Sequence, residues 1–277
     1  MKSILIAAGL GALAAPLALA QSAAVNLAFK PKVGATWQIE ERRALMTNQP
    51  GRPPEAELEL SGALKIAAGT RSGWVYEWKI ESLDGGNFPA GADNPYPGLM
   101  TGVPVRFTAD NSGAPLKIED SKDLIDGMAA TSTVLPDLAN RSFASGLGKQ
   151  LAAMDAKELA ATLLTQARLI AACQNLKFPS GDPLTAAGMS PSSDGPATKT
   201  TITTTLESAG SASEPAQIHI VEATDPAAGA TFSRKADLVC HIDRKTGDVV
   251  QLRADITVNA GGYRKRDIRE ITVTRSK

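Results

Sequence analysis

Apolar and polar residues alternate over much of this chain, with the two-residue period of strands that turn one face inward. Trp37 and Ile39 open an extended segment that runs toward Asn48, and NQPGRPPEA then breaks it with three prolines and a glycine. Leu58, Leu60, Leu64 and Ile66 share one parity, interrupted only by Gly62, while Glu57, Glu59, Ser61 and Lys65 hold the other. After the turn AAGTRSG, Trp74, Tyr76, Trp78 and Ile80 line one face, with Glu77, Lys79 and Glu81 opposite. This pattern predicts a hairpin. Val103, Val105 and Phe107 predict a further strand. Asp110-Asn111-Ser112-Gly113 reads as a tight turn in which Gly113 takes positive φ, and Leu116 and Ile118 lie on the returning strand.

Between Glu119 and Asn175 the period lengthens. SKDLIDGM predicts a short helix capped by Asp120 or Ser121. MDAKELAATLLTQARLIAACQN predicts a longer one, with Asp155 and Glu158 at capping-box spacing. Leu159, Leu163, Ala167, Ile170 and Cys173 fall on one stripe of that helix. Alternation resumes in KTTITTTLES, QIHIVEA, KADLVCHID, DVVQLRADITVN and YRKRDIREITVT, with DRKTGD as a hairpin turn. Val250, Leu252, Ala254, Ile256 and Val258 share a parity, as do Leu238, Cys240 and Ile242. Residues 84–98 and 178–199, rich in turn formers, are expected to be irregular loops.

Cys173 and Cys240 are the chain's two cysteines, and both point from apolar faces, one of a helix and one of a strand. A disulfide between them would pin the helix to the sheet. The expected fold is therefore mainly β, of the α+β kind. It consists of a large curved antiparallel sheet or half-barrel, with a central helical insertion at about 119–175 packed on its inner face. Residues 21–277 are read as a single β-rich domain.

The opening MKSILIAAGLGALAAPLALA carries Lys2, an apolar run and Ala18-Leu19-Ala20. It reads as a signal peptide cleaved after Ala20, of a short Ala-rich kind that suggests a bacterial periplasmic or secreted protein. No later apolar run is long enough to span a bilayer. An oxidising compartment also favours the disulfide. Lys plus Arg and Asp plus Glu each number 29 among 277 residues, so no basic excess points to nucleic acid. Aromatics make up only 4%, too few for the two girdles of an outer-membrane barrel.

The common catalytic and phosphate-binding motifs are absent from the sequence. His219 and His241 are its two histidines, and with the cysteines they fit no standard zinc spacing. His241 follows Cys240 directly, and neighbours on a strand face opposite ways, which argues against a Cys–His catalytic pair. Glu57, Glu59, Glu77 and Glu81 read as a solvated face. Glu119, Asp120, Asp123 and Asp126 read as complements to a helix dipole rather than a cation site. Arg264, Lys265, Arg266 and Arg269 form a basic set that alternation divides between two faces, with Asp267 and Glu270 among them. No metal and no cofactor is expected.

VRFTADNSGAPLKIED and IDRKTGDVVQL, together with the leader, resemble stretches of bacterial periplasmic half-barrel proteins, in which a curved antiparallel sheet cups helices or a lipid. The resemblance is one of architecture and carries no functional residue across. The expected function is a non-enzymatic binding or carrier module for an apolar small molecule, lipid or envelope component. Trp74, Tyr76 and Trp78 would wall its groove, with Phe88 and Tyr96 on a movable cover. The first alternative is an envelope structural or protein-interaction domain with a packed core. A hydrolase with dispersed carboxylates is the third choice.

Overall fold

The computed structural model describes residues 24–48, 55–85, 96–132, 141–179, 181–190, 198–224 and 232–276. The predicted leader and Phe88 lie outside these residues. Thirteen strands are described: β1 (Val25–Leu27), β2 (Thr36–Thr47), β3 (Glu55–Thr70), β4 (Gly73–Asp84), β5 (Val105–Asp110), β6 (Pro115–Ile118), β7 (Leu176–Phe178), β8 (Leu184–Ser190), β9 (Thr198–Ser208), β10 (Ala216–Thr224), β11 (Phe232–Ile242), β12 (Val249–Ala260) and β13 (Tyr263–Arg275). Five helices join them: α1 (Tyr96–Met100), α2 (Ser121–Ser132), α3 (Arg141–Ala153), α4 (Ala156–Leu163) and α5 (Thr165–Ala172).

Eleven strands form one antiparallel sheet in the order β6-β5-β4-β3-β2-β13-β12-β11-β10-β9-β8, and β1 pairs with β7 apart from it. The sheet stays open, with β6 and β8 as its edges. Its centre joins the first long strand to the last, Ile39 lying opposite Val273 and Arg43 opposite Arg269.

Strict alternation explains why one face is covered. On β2 the residues Trp37, Ile39, Glu41, Arg43 and Leu45 are buried, while Glu40 and Arg42 face solvent. On β3 the inward set is Ala56, Leu58, Leu60, Leu64 and Ile66. Gly62 stands in that row because a Cβ there would lie 2.7 Å from the Trp78 indole and 2.6 Å from the Lys79 carbonyl oxygen. The missing side chain lets the fully packed Trp78 lie flat across β3.

The helices cover this inward face. α4 packs over β6, and α5 reaches the middle of the sheet, where Ala167 and Ile170 approach Trp37, Leu64 and Val273. Cys173, which caps α5, is bonded to Cys240 of β11 with the Cα atoms 6.2 Å apart. The ring spans a sequence separation of 67, so the chain-entropy model assigns about 4 kcal/mol to it. The expected helix-to-sheet staple is therefore present. Asp155 caps α4 as the spacing predicted. Its Oδ1 accepts from the Lys157 and Glu158 amides at 2.8 Å each, and Glu158 Oε2 accepts from the Asp155 amide.

Three local expectations are corrected. The long helix ending at Asn175 is two helices, broken at Leu164, where φ is −107° and ψ is 43°. Leu163 and Leu164, on either side of the break, are both buried. Within the expected loop 178–199, residues Leu184–Ser190 form the edge strand β8, paired with β9 from Leu184↔Thr204 to Ser190↔Thr198. Its small residues carry little strand preference, and the neighbouring ladder imposes the conformation. Val250 leaves the predicted row because the β11–β12 register shifts beside Ile242, so Val249 is the buried residue.

Replacing Gly62 with alanine should lower unfolding stability by about 1–3 kcal/mol, since the new methyl meets backbone as well as the indole. Urea denaturation measures this, and unchanged stability would contradict the packing described.

Candidate functional site

Two features distinguish the covered face from an ordinary apolar core. The first is a set of charges on its inward parity. Arg43 donates to Asp267 through Nε at 2.7 Å and through Nη2 at 2.8 Å. Arg269 Nη2 donates to Asp267 Oδ2 at 2.9 Å, and Arg269 Nη1 lies 3.4 Å from Glu41 Oε1. Gln166 of α5 completes the set by donating to Glu41 Oε2 at 2.8 Å. All five side chains are buried. The two cations balance the two anions, so the group is neutral as a whole, which is what makes its burial tolerable. Burial by itself would raise the Asp267 pKa. The Arg43 hydrogen bonds and the charges of Arg269 and Arg43 outweigh it and hold the carboxyl at about 2.

The second feature is a cavity of about 20 Å³ between α5 and the sheet, roughly the room one water needs. Phe29, Trp37, Tyr76 and Phe107 form its aromatic walls, and Asp248 and Gln174 are among its polar lining. Tyr76 and Phe107 stack with centroids 5.3 Å apart, Phe29 and Trp37 meet at 6.2 Å, and Arg275 covers the Trp37 ring at 5.6 Å. Gly113, at φ +83°, ends the turn beside the cavity, and a Cβ there would lie 2.7 Å from Gln174 Oε1 and 3.3 Å from Tyr76 Oη. Burial, with the nearby charges of Asp248 and Asp110, pushes the Tyr76 hydroxyl well above the usual tyrosine range. That hydroxyl therefore stays protonated.

Of the residues expected to wall a groove, Tyr76 lines this cavity. Trp78 is buried over Gly62. Trp74 is half-buried at the start of β4, its indole nitrogen without a hydrogen-bond partner among the described residues. Tyr96 opens α1 and packs on the core edge. Phe29, Trp37 and Phe107 were not singled out from the sequence as groove residues, although Trp37 and Phe107 stand on apolar parities. The network also carried a signal, because Glu41 and Arg43 interrupt an otherwise apolar row.

The remaining candidates fall elsewhere. Glu57, Glu59, Glu77 and Glu81 face solvent. Glu119 pairs with Arg106 at 2.9 Å, and Asp126 with Lys122 at 2.6 Å. Arg269 is inside, whereas Arg266 pairs on the outer face with Asp255. His219 Nε2 lies 2.8 Å from Asp237 Oδ1. Among the described residues no group of three or more His, Cys, Asp or Glu side chains is placed to hold a metal, and no helix is long and apolar enough to cross a membrane.

No protein-family model matches the sequence, and no curated protein does. Among solved structures, one described as "Lipid-protein interactions in lipovitellin" is similar at a TM-score of 0.46 and 12% identity, over 89% of this chain. The chain spans 25% of that one, a likeness too distant to assign a function.

Two outcomes follow from the charge network. Arg43→Met should cost about 3–5 kcal/mol, because it leaves Asp267 buried with half its partners. Arg43→Met with Asp267→Leu leaves the balanced Glu41–Arg269 pair and should recover most of that loss in a double-mutant cycle; additive losses would contradict the coupling. Because the folded pKa of Asp267 lies below its unfolded value of about 3.9, its contribution is full above that value. It should fade as pH falls toward 2. Acid titration of wild type against Asp267→Asn would show the difference, and identical acid profiles would argue against it.

Proposed function

We propose that this protein is a non-enzymatic extracytoplasmic binding or carrier module for an apolar ligand, received between α5 and the inner face of the sheet. The observation that carries this reading is the aromatic cavity lying under a helix tied to the sheet at its far end. The helical cover is built of short segments, with the small residues Ala167 and Ala171 among the buried side chains of α5. Such a layer can give way to an alkyl chain without unfolding the ladder beneath it. The disulfide suits an oxidising compartment, periplasmic or secreted.

A second reading, an interaction domain with a packed interior, is favoured by the size of the void. A preformed ligand pocket is typically hundreds of Å³, and this one is about 20 Å³. The large apolar side chains most exposed among the described residues are Val33, Leu116, Ile202 and Tyr263. They stand on separate elements, so the partner surface this second reading needs is not concentrated in one patch.

The neutral apolar dye phenylnaphthylamine separates the two readings. The carrier reading predicts saturable dye binding with quenching of Trp emission. Ala167→Leu, which adds more bulk than the void holds, should weaken that binding at least roughly tenfold at a cost of about 1–3 kcal/mol in stability. Absence of any dye binding and of any change in Trp emission would favour the packed interaction domain.

A further inference from the structure

The lining of the cavity includes one acidic side chain, Asp248. This residue ends the DRKTGD turn and is held there by its own backbone. Its amide donates to Thr246 Oγ1 at 3.2 Å, and its carbonyl accepts from the Asp243 amide at 2.9 Å. The side chain is only 8% exposed. Arg275 Nη1 lies 3.3 Å from Asp248 Oδ2, so that oxygen has a partner. Asp248 Oδ1 is buried and has no hydrogen-bond partner among the described residues. An orphaned carboxylate oxygen in a water-poor site is costly, and a donor supplied to it gains correspondingly.

We infer that the ligand of this site carries a hydrogen-bond-donating head, an amine or an alcohol, and that Asp248 Oδ1 accepts from it while the alkyl part lies against Phe29, Trp37 and Phe107. This rests on the carrier reading. The neighbouring groups agree with it. Tyr76 and Gln174, which also line the cavity, converge near Gly113, the Asp248 charge acts on Tyr76, and Tyr76 and Gln174 can each both donate and accept. The Tyr76 hydroxyl resists ionisation, so it adds no second negative charge. Arg275 is already engaged with Asp248 Oδ2 and with the Trp37 ring. A fatty-acid carboxylate would therefore bring its charge against the Asp248 carboxylate, whereas an ammonium or hydroxyl supplies the missing donor.

The test is displacement of phenylnaphthylamine from the protein by decylamine, decanol and decanoate, each kept below its micelle concentration at neutral pH. The inference predicts that decylamine and decanol displace the dye at roughly tenfold lower concentration than decanoate. Asp248→Asn should bring the amine-to-acid ratio close to one. Equal displacement by all three compounds, or an unchanged ratio in Asp248→Asn, would overturn the head-group inference and leave the carrier reading standing. Failure of the dye to bind wild type, or of every compound to displace it, would overturn the carrier reading itself. Should Asp248→Asn not fold, the wild-type ratio alone still decides.

Discussion

An eleven-stranded sheet whose inward side is largely apolar across its middle cannot leave that side in water, and the rest of this structure follows from how it is covered. The sheet is open, so curling into a closed barrel does not solve the problem. α1, α2 and α3 add buried residues to the same core, and the part of the cover tied to the sheet by the disulfide is α4 and α5, helices of eight residues each. Helices this short are marginal on their own in water. They hold because Leu159, Leu163, Leu164, Ala167 and Ile170 bury against the strands, and because the Cys173–Cys240 bond fixes the end of α5. Packing and covalent attachment thus act on the same short segment.

The charge network acts at the seam of the sheet. β2 and β13 are far apart along the chain and adjacent in space, and their buried charges interlock across the join. A slip of β2 by one residue against β13 would turn Glu41 and Arg43 outward and leave Asp267 and Arg269 in the core without them. The bidentate Arg43–Asp267 contact therefore specifies register at the place where non-local pairing is hardest to establish. Gln166 extends the same network into the helical layer, so a polar contact joins cover and sheet beside the apolar ones.

The alternation of β3, β4, β12 and β13, the Asp155 capping box, the Gly113 turn and the cysteine pairing were legible because each depends on local spacing or on a residue type with few roles. Edge strand β8 was not legible, since its conformation comes from β9 rather than from its own composition. The break at Leu164 was hidden because a helical stripe says nothing about the curvature of the surface it meets. The cavity was only partly legible. Tyr76 stands on a visible aromatic stripe, but Phe29 joins it from an N-terminal arm that lies across the 243–248 turn, where the Lys30 amide donates to the Thr246 carbonyl at 3.1 Å. Sequence alternation shows which side of a strand is inside and leaves open which distant segments meet there. The same limit explains the network, whose charges looked like interruptions until β2 and β13 were placed side by side.

The central claim is that the α4–α5 layer opens at a lower energy than the ladder it covers. Native-state hydrogen exchange, read segment by segment before and after reduction of the disulfide, tests this most directly. The account predicts that α4 and α5 exchange through a lower-energy opening than β2, β12 and β13, and that reduction speeds exchange in the helices while the central strands keep their protection. Exchange of helices and strands together, through one global opening in both redox states, would contradict it.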